Sequence, residues 1–270
     1  WMEPLKATDN RQLYSVSSAR QVMPMDQFMA THYLPGIGGT RGIAGGASTN
    51  WDFEESYSKS NIPVLAHEIG QWPVYPRWSE IKKYSGVLKA RNFEEFLEVA
   101  RKNKIEEQNE DFVQASGALN QIMYKYEIES FLHTPSCAGI QLLSMQDYQG
   151  QGEALIGWLD AFYDSKGITT PEIFKHHHDT TVTLLRTPKY VWENNEPFTA
   201  QIQVAHYGTH DLTDGVYWKL RDQLNNVVDE GKISSRLFPL GSADIIGDIK
   251  SDLSGITKQT KLTVEIGLER

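Results

Sequence analysis

The hydrophobic pattern of the chain changes near residue 170, and no other feature constrains the fold as strongly. Before this point, short apolar segments alternate with longer segments of helical periodicity, which predicts βα units. After Pro171, period-two alternation between Asn, Gly and Asp turns replaces the helical pattern, which is typical of an antiparallel β-sandwich. We therefore predict an α/β domain over residues 1–170 and a β-sandwich domain over residues 171–270. We expect the sandwich to lack its last strand, because the chain stops directly after a strand.

The α/β part contains four apolar segments of strand length and two clear helical segments. We predict strands over residues 13–17, 27–32, 63–68 and 138–145, and helices over residues 91–103 and 111–133. Asn92 is the expected N-cap of the first helix. In the second helix, apolar residues recur at three- and four-residue steps, which predicts one buried face. That face would consist of Phe112, Ala115, Leu119, Ile122 and Tyr126.

Charge and composition exclude several classes of function. The net charge of −9 disfavours a nucleic-acid partner, because phosphate binding needs a basic surface. No run of 18 apolar residues exists, so we expect no membrane-spanning segment. Cys137 is the single cysteine, and it cannot form an internal disulfide. It also precedes a predicted strand, which places it at the far end from a site at the strand termini.

A carboxylate stands at the end of a predicted buried strand. The run Pro63–His67 is continuously apolar up to its histidine, as expected of a parallel strand buried on both faces, and Glu68 follows it. The carboxyl ends of the strands line the active site of an α/β barrel, which makes Glu68 a catalytic candidate. The alternative is a charge that emerges into solvent or pairs with an arginine.

Two other predicted strands also end in polar groups. His32 ends the second strand, although a lone histidine is more often structural than catalytic. Gln146, Asp147 and Gln149 follow the fourth strand, where amides and a carboxylate suit a ligand with many hydroxyl groups. A turn that only caps the strand explains the same residues.

Aromatic residues crowd the segment after Glu68. Trp72 and Tyr75 are candidates for stacking against a sugar ring, and ordinary packing under a loop explains them equally well. The run "KHHHDTT" invites a metal hydrolase using His176 to His178, but consecutive residues do not easily converge on one ion, so we interpret the run as a solvated segment. The chain contains neither a P-loop pattern nor a G-x-S-x-G elbow.

Three segments together resemble glycoside hydrolase family 2, which includes β-galactosidases and β-glucuronidases. They are "PVLAHEIGQWPVYP", "GIQLLSMQDYQGQGEALIGWLDAFYDSKG" and the closing run of β-sandwich strands. The resemblance implies a partial (β/α)8 TIM barrel, strands five to eight, followed by an all-β immunoglobulin-like sandwich. It also implies a retaining mechanism with Glu68 as the nucleophile and with an acid/base glutamate that precedes Trp1, outside this chain.

The resemblance further implies a set of substrate-binding residues and a cellular setting. His67 and Gln71 are expected to stabilise the ionised nucleophile. The full substrate-binding set is His32, His67, Gln71, Trp72, Tyr75, Asp147 and Gln149. We expect a carbohydrate substrate, no metal or organic cofactor, and a periplasmic or extracellular location. Half a barrel exposes strand edges and apolar faces, so the chain is either an excerpt of a longer protein or self-associates.

The sequence departs from the family at one position and leaves one rival hypothesis open. Many barrel glycosidases place a tryptophan on the eighth strand, whereas this chain has Leu142 to Met145 there, so Trp72 or Trp158 would replace it. The rival is a non-catalytic carbohydrate-binding or structural module that binds sugars, if at all, on the sandwich.

Overall fold

The first part of the chain is organised around a parallel sheet. The computed structural model describes residues 2–16, 18–19, 22–34, 38–39, 42–43, 45–148 and 154–270. Its helices are α1 (Met2–Thr8), α2 (Glu54–Tyr57), α3 (Arg91–Lys102), α4 (Asn109–Leu132) and α5 (Pro171–Lys175). Its strands are β1 (Ser18–Ala19), β2 (Met29–Thr31), β3 (Tyr33–Leu34), β4 (Gly38–Gly39), β5 (Val64–Ile69), β6 (Cys137–Leu142), β7 (Thr181–Arg186), β8 (Phe198–His206), β9 (Leu212–Arg221), β10 (Val227–Phe238), β11 (Ser242–Ser251) and β12 (Thr263–Leu268). Two short 3₁₀ helices occupy Trp78–Lys83 and Glu106–Gln108.

The parallel sheet contains four strands in the order β1-β2-β5-β6, which is also their order along the chain. Met29 pairs with Val64, and Val64 pairs with Cys137, so all three of the longer strands end at the same edge. Parallel neighbours need long crossover connections, and α3 and α4 fill the one between β5 and β6. The four parallel strands follow chain order, as the βα prediction requires, but among the described residues long helices occur only between β5 and β6. The assignment to half of an eight-stranded barrel stays a prediction.

The first strand lies later in the chain than predicted. Residues 13–16 are not in a strand, and the described strand is β1 at Ser18–Ala19. The reason is a set of side-chain acceptors that take the backbone donors of this segment. Gln27 accepts from the Tyr14 N–H at 3.1 Å, and Asp26 accepts from the Val16 N–H at 2.7 Å. A backbone bonded in this way does not join the sheet ladder.

The helix α4 buries a different face from the predicted one. Leu119 and Ile122 are 57% and 48% exposed, whereas Tyr124 and Ile128 are buried against the sheet. Polar side chains lie on this buried face, including Glu127, which is 2% exposed.

The predicted N-cap of α3 is wrong, because Asn92 lies inside the helix and its N-cap is Ala90. Within the described residues, no helix has the length and apolar character that crossing a lipid bilayer requires.

The second part of the chain consists of two antiparallel three-stranded sheets. Their strand orders are β10-β9-β12 and β11-β8-β7. The shared core contains Ile202, Val204, Val216, Leu220 and Ile249, contributed by β8, β9 and β11. This arrangement is compatible with the predicted β-sandwich, and the immunoglobulin-like subtype stays a prediction.

Buried polar contacts join the sandwich to the parallel part. The Arg186 guanidinium donates to Asp52 at 2.7 Å and to the His133 carbonyl at 2.8 Å. Gln203 on β8 lies 2.7 Å from His133 Nδ1. Burial, assisted by the charge of Arg186, lowers the pKa of His133 to about 4, so its imidazole is neutral at this junction.

Candidate functional site

The carboxyl ends of β2 and β5 bring one carboxylate and two imidazoles together. His32 directly follows β2, while His67 and Glu68 lie in the last half of β5. His32 Nε2 lies 2.8 Å from Glu68 Oε2, and His67 Nε2 lies 3.6 Å from Glu68 Oε1. The two imidazole rings are nearly parallel, with centroids 4.9 Å apart. The three side chains are 16%, 23% and 33% exposed, so a ligand can reach them.

The backbone of Glu68 has an uncommon conformation for a residue with a side chain. Its φ is +56°, in the left-handed region, and the pairing of β5 with β6 shifts register between Ala66 and Ile69. Non-glycine residues in this region cost about 1–2 kcal/mol, and such strain concentrates at functional sites. The left-handed turn at the end of β5 sets the direction of the Glu68 carboxylate.

Two residues further on, only glycine fits. Gly70 has a φ of +81°, and a Cβ at this position would lie 2.0 Å from the ring of Tyr124. The close approach of α4 to this turn therefore depends on the missing side chain.

A buried glutamate of α4 holds the segment after Glu68. Glu127 accepts hydrogen bonds from the Gly70 N–H at 2.9 Å, the Trp72 indole N–H at 2.9 Å and the Gly42 N–H at 2.7 Å. It thereby links two segments that flank the three-residue cluster. Sequence reasoning missed Glu127, because only its place on the buried side of α4 distinguishes it from a solvent-facing glutamate.

The other aromatic and amide candidates after β5 have mainly structural contacts. Gln71 donates to the Glu68 carbonyl at 3.2 Å and closes the turn. Trp72 is half-buried, with its indole bound to Glu127. Tyr75 packs edge-on against Trp78 and belongs to the core around β5, which favours the packing interpretation over sugar stacking.

Asp147 is removed from solvent, contrary to its expected role in sugar binding. It is 4% exposed and forms an ion pair of 2.6 Å with Lys166, which is also buried. The same Oδ1 accepts from the Gly157 N–H at 3.0 Å. These contacts tie the segment after β6 to residues 157–166, so we replace the predicted sugar contact with a structural role. Gln149 lies outside the described residues.

A second group of buried ionisable side chains surrounds this ion pair. Glu80 is 4% exposed, and burial raises its pKa to about 7. Asp160 accepts from Lys83, which also pairs with Asp164 at 2.7 Å. Burial likewise raises the pKa of Tyr84 to about 12. The side chains of this group pair with one another and are largely buried, whereas the cluster at Glu68 is accessible to a ligand.

Three remaining candidates in the described part of the chain have structural surroundings. His177 is 4% exposed and packs on Phe174, which corrects the interpretation of the whole histidine run as solvated. Cys137 begins β6 at its amino end, and burial raises its pKa to about 11, so it does not supply a thiolate. Trp158 is 9% exposed and donates to Asn120, which makes it a core residue rather than a sugar platform.

The known proteins that are similar to this chain match either a part of it or match it at low sequence identity. A domain of unknown function, DUF8488, matches residues 196–270. No curated protein matches the sequence. The fold is similar to the crystal structure of a β-D-mannosidase from Dictyoglomus thermophilum, with 12% identity and a TM-score of 0.47 over 82% of this chain. The matched region spans 30% of the mannosidase chain.

Proposed function

We propose that the chain is the nucleophile-bearing part of a retaining glycoside hydrolase that acts on β-linked sugars. The observation that carries the proposal is the position of Glu68. Its carboxylate lies at the carboxyl edge of a parallel sheet, is one-third exposed, and contacts His32 at 2.8 Å. Catalytic groups of α/β enzymes concentrate at this edge.

The chemistry assigns one role to each group in the cluster. Glu68 attacks the anomeric carbon and forms a covalent glycosyl ester, which water then hydrolyses with retained configuration. His32 orients the carboxylate through the 2.8 Å contact between its Nε2 and Glu68 Oε2, and His67 lines the site beside Glu68 Oε1. The general acid is a carboxylic acid about 5–5.5 Å from Glu68 that sequence outside this chain supplies. We therefore expect the chain alone to hydrolyse aryl β-glycosides little or not at all, and measurable hydrolysis abolished by Glu68→Gln would overturn that expectation.

Glu127 has a positioning role in this proposal. Its carboxylate accepts hydrogen bonds from the Gly70 N–H and the Trp72 indole N–H, each at 2.9 Å, and so fixes the turn that orients Glu68. Positions on rigid elements with buried hydrogen-bonded support are the ones that keep catalytic geometry.

One observation favours the rival hypothesis of a sugar-binding module. An open cavity of about 1610 Å³ lies beside the sandwich, lined by parts of β7, β12 and α4 and by the segment that contains Tyr190 and Trp192. Tyr190 stacks on Tyr126 with ring centroids 5.9 Å apart. Aromatic surfaces of this kind are suited to pyranose rings.

Binding of an iminosugar separates the two hypotheses. Its ammonium mimics the charge of the glycosidase transition state, so it pairs with the nucleophile. We expect calorimetry to show binding that Glu68→Gln weakens at least tenfold and that Trp192→Ala leaves unchanged. Binding lost in Trp192→Ala but kept in Glu68→Gln supports the module, and no binding of gluco, galacto or manno iminosugars at millimolar concentration contradicts the glycosidase proposal.

A further inference from the structure

We propose that His32, His67 and Glu68 form a binding site for a zinc ion. Each offers one ligand atom, and these atoms all lie within 4.8 Å of one another. Two imidazole nitrogens and one carboxylate oxygen form a ligand set that zinc binds in proteins, with water in the fourth position. The partial exposure of all three side chains leaves room for that water.

A hydrogen bond at Nδ1 of His67 orients the imidazole so that its Nε2 can bind a metal ion. Nδ1 lies 2.8 Å from the side-chain oxygen of Gln141 on β6. An amide oxygen only accepts, so Nδ1 carries the hydrogen, and in the neutral ring Nε2 directs a lone pair toward Glu68. Histidine ligands of metals commonly donate their other ring N–H to an oxygen in this way.

The gap between His67 and Glu68 is wide enough for a metal ion. Nε2 of His67 and Oε1 of Glu68 are 3.6 Å apart, a distance that an ion bound to both atoms spans.

The spacing of the ligand atoms fits tetrahedral coordination. Zinc–ligand distances of about 2.0–2.2 Å place neighbouring ligand atoms about 3.3–3.5 Å apart. His32 Nε2 lies 2.8 Å from Glu68 Oε2 and His67 Nε2 lies 3.6 Å from Glu68 Oε1, so each imidazole stands near this distance from the carboxylate. His67 and Glu68 lie on β5, and His32 directly follows β2, whose pairing with β5 extends up to Thr31 and Ala66 and fixes the offset of the two strands.

Direct binding tests the site without any sugar chemistry. Zinc affinity is measured by competition with a chromophoric chelator, in a background that carries His176→Gln and His178→Gln to remove binding by the exposed histidines of the run. We expect one zinc ion per chain. Glu68→Gln and His67→Ala each weaken binding at least tenfold, and Gln141→Leu weakens it about tenfold or more through the lost support of His67. The matched control His210→Ala alters an exposed histidine and leaves affinity unchanged.

Cobalt provides a second readout. Bound Co²⁺ should give visible absorption of the intensity typical of four-coordinate sites, and Glu68→Gln should abolish it. Absence of zinc binding in the background protein, or equal affinity in the Glu68→Gln and His67→Ala variants and the background protein, overturns the proposal. Gln141→Leu keeps the test valid if another variant fails to fold, because Gln141 is exposed.

The zinc site does not rest on the proposed glycosidase function. Iminosugar binding is measured with chelator present, so either proposal can fail while the other stands. If both hold, zinc and the iminosugar compete for Glu68, and zinc inhibits the complete enzyme.

Discussion

Replacing Glu80 with glutamine should change how the stability of the protein depends on pH. Glu80 lies in the 3₁₀ helix Trp78–Lys83, and within the described part of the chain its Oε2 atom has no hydrogen-bond partner. Burial is the main cause that raises its pKa from 4.5 to about 7. Four charged groups modify this shift, with Asp160 and Asp147 raising the pKa and Lys166 and Lys83 lowering it.

The magnitude follows from the two pKa values. Folding raises the pKa of Glu80, so the folded protein binds a proton that the unfolded chain releases above pH 4.5. Wild-type stability from this group is fully present below pH 4.5 and is lost as the pH rises through about 7. One pKa unit corresponds to about 1.36 kcal/mol, which puts the loss between pH 4.5 and 8 at about 3 kcal/mol. Glutamine mimics the protonated acid and does not titrate.

Urea unfolding followed by tryptophan fluorescence provides the measurement. Wild type and Glu80→Gln are compared from pH 4.5 to pH 8, and the variant should gain about 3 kcal/mol relative to wild type over this range. Glu95→Gln on α3 is the matched control, because Glu95 is exposed and its replacement should give a flat difference. A Glu80→Gln difference that is also flat, or that grows toward acid pH, would refute the reasoning.

Three further predictions concern the turn after β5 and the histidine run. Gly70→Ala should lower the free energy of unfolding, measured by urea titration, by about 3 kcal/mol, because the left-handed φ is strained and the new methyl group contacts Tyr124. A loss below about 1 kcal/mol would contradict so close an approach of the tyrosine ring. Glu68→Gly should be about 1 kcal/mol more stable than Glu68→Ala in the same assay, since glycine relieves the φ of +56°; equal stabilities would show that the turn is unstrained. His177→Phe should reduce the loss of unfolding free energy at acid pH. Burial lowers the pKa of His177 from 6.5 to about 4, so the wild-type protein loses stability as the pH falls through this range. An unchanged dependence of stability on pH would show that His177 is accessible to water.

Local sequence patterns predicted where most elements lie but not which surface each helix buries. The helix predicted over residues 91–103 is α3, Arg91–Lys102. For α4, periodicity of apolar residues selected Leu119 and Ile122, which are exposed. Glu127 is buried instead, because its carboxylate accepts from Gly70, 57 residues away in the chain. A rule based on hydrophobicity treats such a residue as solvent-facing, and only tertiary contacts reverse that assignment.

The sequence predicted those residues of the candidate site that lie at the ends of strands. A continuous apolar run that ends in Glu68, and a shorter one that ends in His32, predicted residues at one edge of a sheet. The partner of His67 was not predictable, because Gln141 reaches it only through the register of β5 with β6. Lys166 was missed because only the fold of the segment after β6 places it beside Asp147, and their ion pair converts an expected ligand into an internal contact.

Covalent labelling of Glu68 tests the central claim most directly. Dinitrophenyl 2-deoxy-2-fluoro-β-glycosides carry a leaving group that departs without an acid, so the nucleophile alone can form the glycosyl ester, and the fluorine slows its hydrolysis. Mass spectrometry of the folded chain should show one added fluoroglycosyl group on the peptide that contains Glu68, and none in Glu68→Gln. A label on another residue, or an unlabelled Glu68 after incubation with the gluco, galacto and manno reagents, would contradict the account.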